Sequence, residues 1–378
     1  MHFYNINQCL LMYRIIGVYP EKSGSKIQSA IFLWTFTALL SVYYLNILFF
    51  IYNYESLTLE EAISALESNG IMFHGMFKLT VLFLRKSQVC DLLERMEHLF
   101  WKIEDIENLD RRRPHLKYLE NLKNVCRVFT SICATTTLAF ILRPIFLHGS
   151  YLTFDTYNPE WIPYYALWLF ESMVFVTGIW FPVSGLDIIM LSILMLTKLQ
   201  FRLLNEELTE LFDSEADMKN VDQRIGKCVR HHAFLIDYVK RINKTFSEAM
   251  LFYVGVITIS MCVEMYLIST RDSLKASFKS MSYIFNGLVQ YSVCYCVPAQ
   301  AISDEAYATA YSIYSSKWYE HPTHSVKIAV LMIMAKAQHT LPIVAGGFLI
   351  VNLDTCFKTI KTMVSYCMFL RTMTVQPE

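Results

Sequence analysis

The 378-residue chain has no excess charge of either sign, with 33 Lys and Arg against 33 Asp and Glu. That argues against a nucleic-acid partner, because neutralising phosphates needs a clustered basic surface. Charged residues make up only 17% of the chain, against roughly one quarter in soluble domains. Twelve Gly and ten Pro leave no room for a flexible linker or a low-complexity tract, and there is no internal repeat, so one domain over residues 1–378 is expected. Catalytic spacing is missing as well: there is no glycine-rich phosphate loop, H-E-x-x-H, G-x-S-x-G or C-x-x-C, which argues against an enzyme and gives no cofactor site. His321 and His324 of "HPTH" lack the third ligand that zinc requires. The first twenty residues have neither the unbroken apolar core nor the small-residue cleavage site of a signal peptide. They predict a short amphipathic segment on a membrane surface.

What is present is apolar surface: 54% hydrophobic residues and a mean hydropathy of +0.34. A bilayer crossing takes about 20 mostly apolar residues, and the sequence offers seven candidates, giving an all-α membrane protein of seven transmembrane helices. Six are residues 30–52, 62–84, 125–147, 164–199, 246–269 and 281–303. The seventh, 326–371, is split by Gly346 and Gly347. The second is the weakest, since it holds Glu67, His74 and Lys78. The fourth exceeds what a crossing needs, so its tail and the ends of the later spans are expected to project beyond the lipid.

Orientation follows from the positive-inside rule. Nine Lys and Arg lie between Arg85 and Lys123 and nine between Lys198 and Lys244, whereas 53–61 and 149–162 have none. The N-terminus is thereby placed in the cytoplasm and the C-terminus outside, the reverse of a G-protein-coupled receptor. No cysteine falls in a predicted outer loop, so no extracellular disulfide is expected. The sequon at Asn243 lies on the cytoplasmic side and should stay unglycosylated. Leu92, Leu93, Met96, Leu99, Phe100 and Ile103 fall on one helical stripe and predict helix packing outside the membrane.

Near the C-terminus, Ser316, Trp318 and Tyr319 form an S-x-W-Y element, followed by Leu353 and Asp354 and then by the pair Ser365 and Tyr366. These resemble the C-terminal signature of the insect odorant receptors over about the last seventy residues; upstream, the spans and inverted topology match. The resemblance implies a ligand-gated, non-selective cation channel in the plasma membrane of sensory neuron dendrites. It would be a tetramer in which odorant-binding subunits assemble with a common co-receptor, and the second half of the broken seventh helix would line a central pore. The chain lacks the long insertion before the fifth span that marks the co-receptor, so it looks like a tuning subunit for a small volatile organic ligand. Gustatory receptors, which share the topology and form homomers, usually end in T-Y…Q-F; here Ser365 replaces Thr and Thr372-Met373 replaces Gln-Phe. A transporter is disfavoured because only the last span is broken.

Aligned on its Ser-Tyr pair, the last helix carries the implied hydrophobic gate at Phe369 and Met373, with Thr372 beside it. At about 100° per residue, Thr362 and Lys358 fall within about 20° of Phe369. A charge at membrane depth faces water or a partner, so Lys358 either faces a wet pore or pairs with Asp354 four residues earlier. The resemblance also places a ligand pocket in the outer half of the bilayer. The implied lining is Met72, Phe73, His74 and Phe77 of span two; Thr137, Phe140 and Ile141 of span three; Trp168, Glu171 and Phe175 of span four; and Tyr283, Asn286 and Gly287 of span six. Such aromatic walls with a few polar groups suit a small apolar ligand. His74 and Glu171 could satisfy each other, and Lys78 is expected to reach a partner carboxylate or the inner side.

Overall fold

The computed structural model describes residues 4–22, 24–57, 59–146, 152–154, 156–212, 221–270, 274–320 and 323–374, with the backbone alone at 4, 5, 59–67, 143, 146, 270, 274–279, 370, 371, 373 and 374. The described chain is helical apart from one short hairpin. In order it forms α1 (Tyr4–Ile15), α2 (Lys26–Asn53), α3 (Leu59–Leu99), α4 (Leu109–Phe146), α5 (Tyr164–Val174), a π turn over Phe175–Trp180, α6 (Phe181–Thr209) and α7 (Val221–Thr270). Then come α8 (Leu274–Val289), a second π turn over Gln290–Cys296, α9 (Val297–Ser315), α10 (His324–Ala337), the strands Val344–Ala345 and Leu349–Ile350, and α11 (Leu353–Thr374).

By length and composition, α2, α4, the continuous rod from α5 to α6, and α7 can each cross a membrane. Predicted spans 62–84, 281–303 and 326–371, carried on α3, α8–α9 and α10–α11, fall short of that measure among the described residues. Polar groups such as Lys78, Gln290 and Lys358 interrupt them. Burial separates the roles of the apolar rods. In the most apolar stretch of α5–α6, 78% of residues are buried inside the chain, against 22% in α2 and 17% in α4. The interior helix is α6, buried along most of its length, with α1, α3, α7 and α9 packed around it. The apolar surface that α2 and α4 leave uncovered, including Leu33, Trp34, Leu40 and Leu138, is satisfied only by lipid or a neighbouring subunit.

α7 has 50 residues, about 75 Å at ~1.5 Å per residue, more than twice the ~30 Å hydrocarbon core. Its polar first half therefore runs outside the lipid, where it packs with the C-terminal half of α3. Leu92, Met96, Phe100 and Ile103 are buried there as the stripe predicts, but Leu99 is half exposed and leaves it. Tyr238 donates its hydroxyl to the Leu92 carbonyl at 3.0 Å, and His115 pairs with Glu206 at 2.8 Å.

Two expectations are corrected. The N-terminal segment does not merely lie on a membrane surface: α1 docks on α6, burying Ile6, Cys9 and Tyr13. The approach is close because position 185 is glycine; a Cβ there would meet the Tyr13 ring at 2.7 Å. The seventh span is also broken more widely than at two glycines. α10 has 14 residues, about 21 Å at ~1.5 Å per residue, too short to cross, and it packs on α9 and α7. The next stretch turns back as the hairpin, with Gly346 and Gly347 at φ of +62° and +80°, a conformation only glycine adopts freely. α11 alone, with 22 residues, is long enough to span. The hairpin is pinned to α7 by Asn243, which donates to the Pro342 carbonyl at 2.9 Å and accepts from the Val344 amide at 3.0 Å. The sequon's amide is thus already engaged.

Candidate functional site

The thirteen residues expected to line a pocket fall into neighbouring patches. Met72 of α3 and Phe175 of the first π turn are buried in one cluster with Leu39, Phe154 and Ile179, with Phe140 and Ile141 of α4 packed against it. The Phe175 ring stands edge-on to Phe154 at 5.3 Å and tilted to Phe140 at 5.9 Å. Trp168 closes this patch by donating its indole N–H to the Ile141 carbonyl at 3.0 Å. Glu171, fully buried, takes the Thr156 hydroxyl and the Phe154 amide at 3.3 Å. It therefore holds the segment after α4 down over the cluster, and its partner is not His74.

His74 faces the other way. Its ring stacks on Tyr253 of α7, centroids 5.5 Å apart, while Phe77 stacks on Phe252 at 3.6 Å and Phe73 meets the same ring tilted, at 5.5 Å. On α8, Asn286 donates to the Thr136 hydroxyl at 3.2 Å, next to buried Thr137, and Gly287 lies against Ile257 and Met261; Tyr283 sits one turn earlier, part-buried. Among the described residues, the buried atoms His74 Nε2, Tyr253 Oη and Asn286 Oδ1 have no hydrogen-bond partner. A ligand carrying one donor or acceptor would satisfy one of them at little cost, since these groups have already been desolvated.

α11 is fastened by one face only, through buried Cys356, Met363 and Cys367 against α7 and the second π turn. Its other face is uncovered. Lys358 pairs with Asp354 at 2.6 Å, both well exposed. Thr362, Phe369 and Thr372 are exposed too, and the side chain of Met373 lies outside the described residues. His324 is exposed at the start of α10, and His321 lies outside the described residues. No group of three or more metal-ligating side chains is found among the described residues.

One polar centre was not anticipated. Asp187 on α6 has no exposed surface and accepts from Lys78 at 2.6 Å, from the Tyr295 hydroxyl and from the Gln290 amide. Lys78 also lies 4.7 Å from the centre of the Tyr253 ring, a cation–π geometry. Lys78 thus finds a carboxylate, as one of its two sequence readings allows. The signal for Asp187 was available: an ionisable residue inside an apolar span is a functional candidate by default.

Against known proteins, a model of the "7tm Odorant receptor" family matches residues 58–376. Odorant receptor 85c of Drosophila melanogaster is 20% identical over 97% of this chain and 98% of its own length. The insect olfactory receptor OR5 from Machilis hrabei superposes with a TM-score of 0.81, covering 97% of each chain at 14% identity. Its complex with eugenol gives 0.82 over 98% of each. The fold is therefore the all-α membrane fold of these receptors, a family of receptors and not of enzymes. With a family match that takes in most of its length, residues 58–376, the chain belongs to the 7tm odorant receptors.

Proposed function

We propose that this chain is the odorant-binding subunit of a ligand-gated, non-selective cation channel in the plasma membrane, opened by a small, largely apolar volatile molecule. The observation that carries the reading is the uncovered face of α11. Asp354, Lys358 and Lys361 lie exposed on a helix of membrane-spanning length. Charge at that depth requires water, and a helix held on one side only can have water on the other if neighbouring subunits close a lumen. The N-terminus is read as cytoplasmic from the Lys and Arg distribution, with spans at 30–52, 62–84, 125–147, 164–199, 246–269 and 281–303 and the last crossing carried by 353–371 of the split 326–371 region.

In this reading Phe369, Met373 and Thr372 form the constriction, and Thr362 and Lys358 line the lumen. The ligand sits between α3, α4, α5 and α8. The patch built on Met72, Phe175, Phe140 and Ile141 supplies the apolar walls, and His74 or Asn286 supplies the single polar contact. The partner proposed is a common co-receptor in a heterotetramer, supported by the short α6–α7 connection, which lacks the insertion expected of a co-receptor. A homomer is the second reading. Four lumenal lysines would repel cations in a low-dielectric pore, but Asp354 neutralises each Lys358 at 2.6 Å, so charge alone does not disfavour four copies.

The test is whole-cell current in cells expressing the chain alone and with an odorant co-receptor, under a panel of aromatic, alcohol, ester and ketone volatiles that includes eugenol. Ligand-evoked cation current only with the co-receptor is expected. Equal current from the chain alone overturns the heteromer, and surface expression without current in either setting overturns the channel reading.

A further inference from the structure

The carboxylate of Asp187 gathers three groups from two other parts of the fold. Lys78 comes from α3, two residues beyond Met76 of the apolar patch and four beyond His74; Gln290 and Tyr295 come from the second π turn. The spacing of the last two is informative. Five residues apart, they would point about 140° away from each other on an α-helix at ~100° per residue. The i→i+5 winding of a π turn brings them to one side, where both reach Asp187, Gln290 on one oxygen and Tyr295 with Lys78 on the other.

The π turn also touches α11, and Tyr291 and Cys296 are buried in the same core cluster as Cys356 and Met363 of that helix. An α-helical winding of the same residues would lose this two-point grip on Asp187, and coupling between distant sites needs an element with two such discrete arrangements. A charged Asp187, fully buried inside the protein, costs too much to stand without Lys78.

We propose that the Lys78–Asp187 pair is a positioning device that holds residues 290–296 in the π winding on which α11 packs, so that displacement of α3 at the ligand site is transmitted to the pore helix. The transmission step rests on the function proposed above; the hold on the winding does not.

Lys78→Met would leave an unpaired buried carboxylate and endanger the fold, so the test uses Tyr295→Phe and Gln290→Leu, which keep the ion pair. In purified protein, hydrogen exchange of amides 290–296 and of α11 is expected to speed up about tenfold, as for the loss of a hydrogen bond to a charged group, with 100–115 unchanged. In cells where the wild type responds to ligand, the half-maximal ligand concentration is expected to shift by a similar factor at equal surface density. His115→Ala, which loosens only the part outside the membrane, should leave it in place. Unchanged exchange in both variants overturns the hold on the winding. Altered exchange with an unmoved dose–response overturns the transmission. A silent wild type would count against the channel reading alone, while exchange still decides the structural claim.

Discussion

The imidazole of His231 lies flat on the indole of Trp101, ring centroids 4.1 Å apart and 14° from parallel. The stack joins α7 to the segment after α3, and Gln200 of α6 clamps it, accepting from the Trp101 amide at 2.7 Å and donating to its carbonyl at 3.0 Å. Burial, the Lys227 charge one turn away and neighbouring His232 hold His231 down at about 3, and burial holds His232 at about 4.

Acid should therefore loosen this part of the molecule. Each histidine is neutral when folded but takes up a proton near pH 6.5 when unfolded, so the stability present above pH 6.5 is lost as pH falls toward 4. At pH 5 the loss is on the order of 1–2 kcal/mol per histidine. Thermal unfolding of purified protein between pH 7.5 and 5 checks this; His231→Phe, which keeps a ring on Trp101, should flatten the dependence.

Asn243 uses both ends of its amide on the hairpin that links α10 to α11. Asn243→Ala should cost about 1–3 kcal/mol by orphaning the Val344 amide and the Pro342 carbonyl. Faster hydrogen exchange across 338–352, with α6 unaffected, is the expected signature.

Glu171 holds Thr156 and the Phe154 amide over the Met72–Phe175 cluster. Glu171→Gln retains the shape but weakens two charge-assisted bonds, each about twice as strong as a neutral one. The variant should reach the surface yet need about tenfold more ligand for half-maximal current, in line with ~1.4 kcal/mol. An unmoved dose–response would remove this segment from the ligand site.

Phe369→Ala should raise current in the absence of ligand, because apolar constrictions close by dewetting and a methyl group widens and wets the gap. Leak current normalised to surface density measures it.

Lys358→Glu places a second carboxylate beside Asp354, where a neutral pair now stands. Relative calcium permeability of the heteromer should rise, read as a shift in reversal potential on replacing sodium with calcium; an unchanged potential would put Lys358 outside the ion path.

The long apolar runs, the loop charge asymmetry and the C-terminal signature were enough to point to the membrane, the helices and the family. These are local properties: a run such as 30–52 finds itself inside α2 because a continuous apolar stretch has one way to satisfy both its backbone and its surroundings. Helical periodicity likewise placed Leu92, Met96, Phe100 and Ile103 in a core. Tertiary structure decided what periodicity does not carry. It chose α6 as the buried axis over α2 and α4, which are also apolar enough to cross a membrane. It turned His74 toward Tyr253 and Glu171 toward Thr156, dividing one expected pocket into neighbouring patches. It joined Lys78 to Asp187 across 109 residues and wound 290–296 as a π turn so that Gln290 and Tyr295 meet the same carboxylate. Which buried charge finds which partner depends on the three-dimensional packing of helices far apart in the chain, and a linear pattern of apolar and polar residues leaves that pairing open.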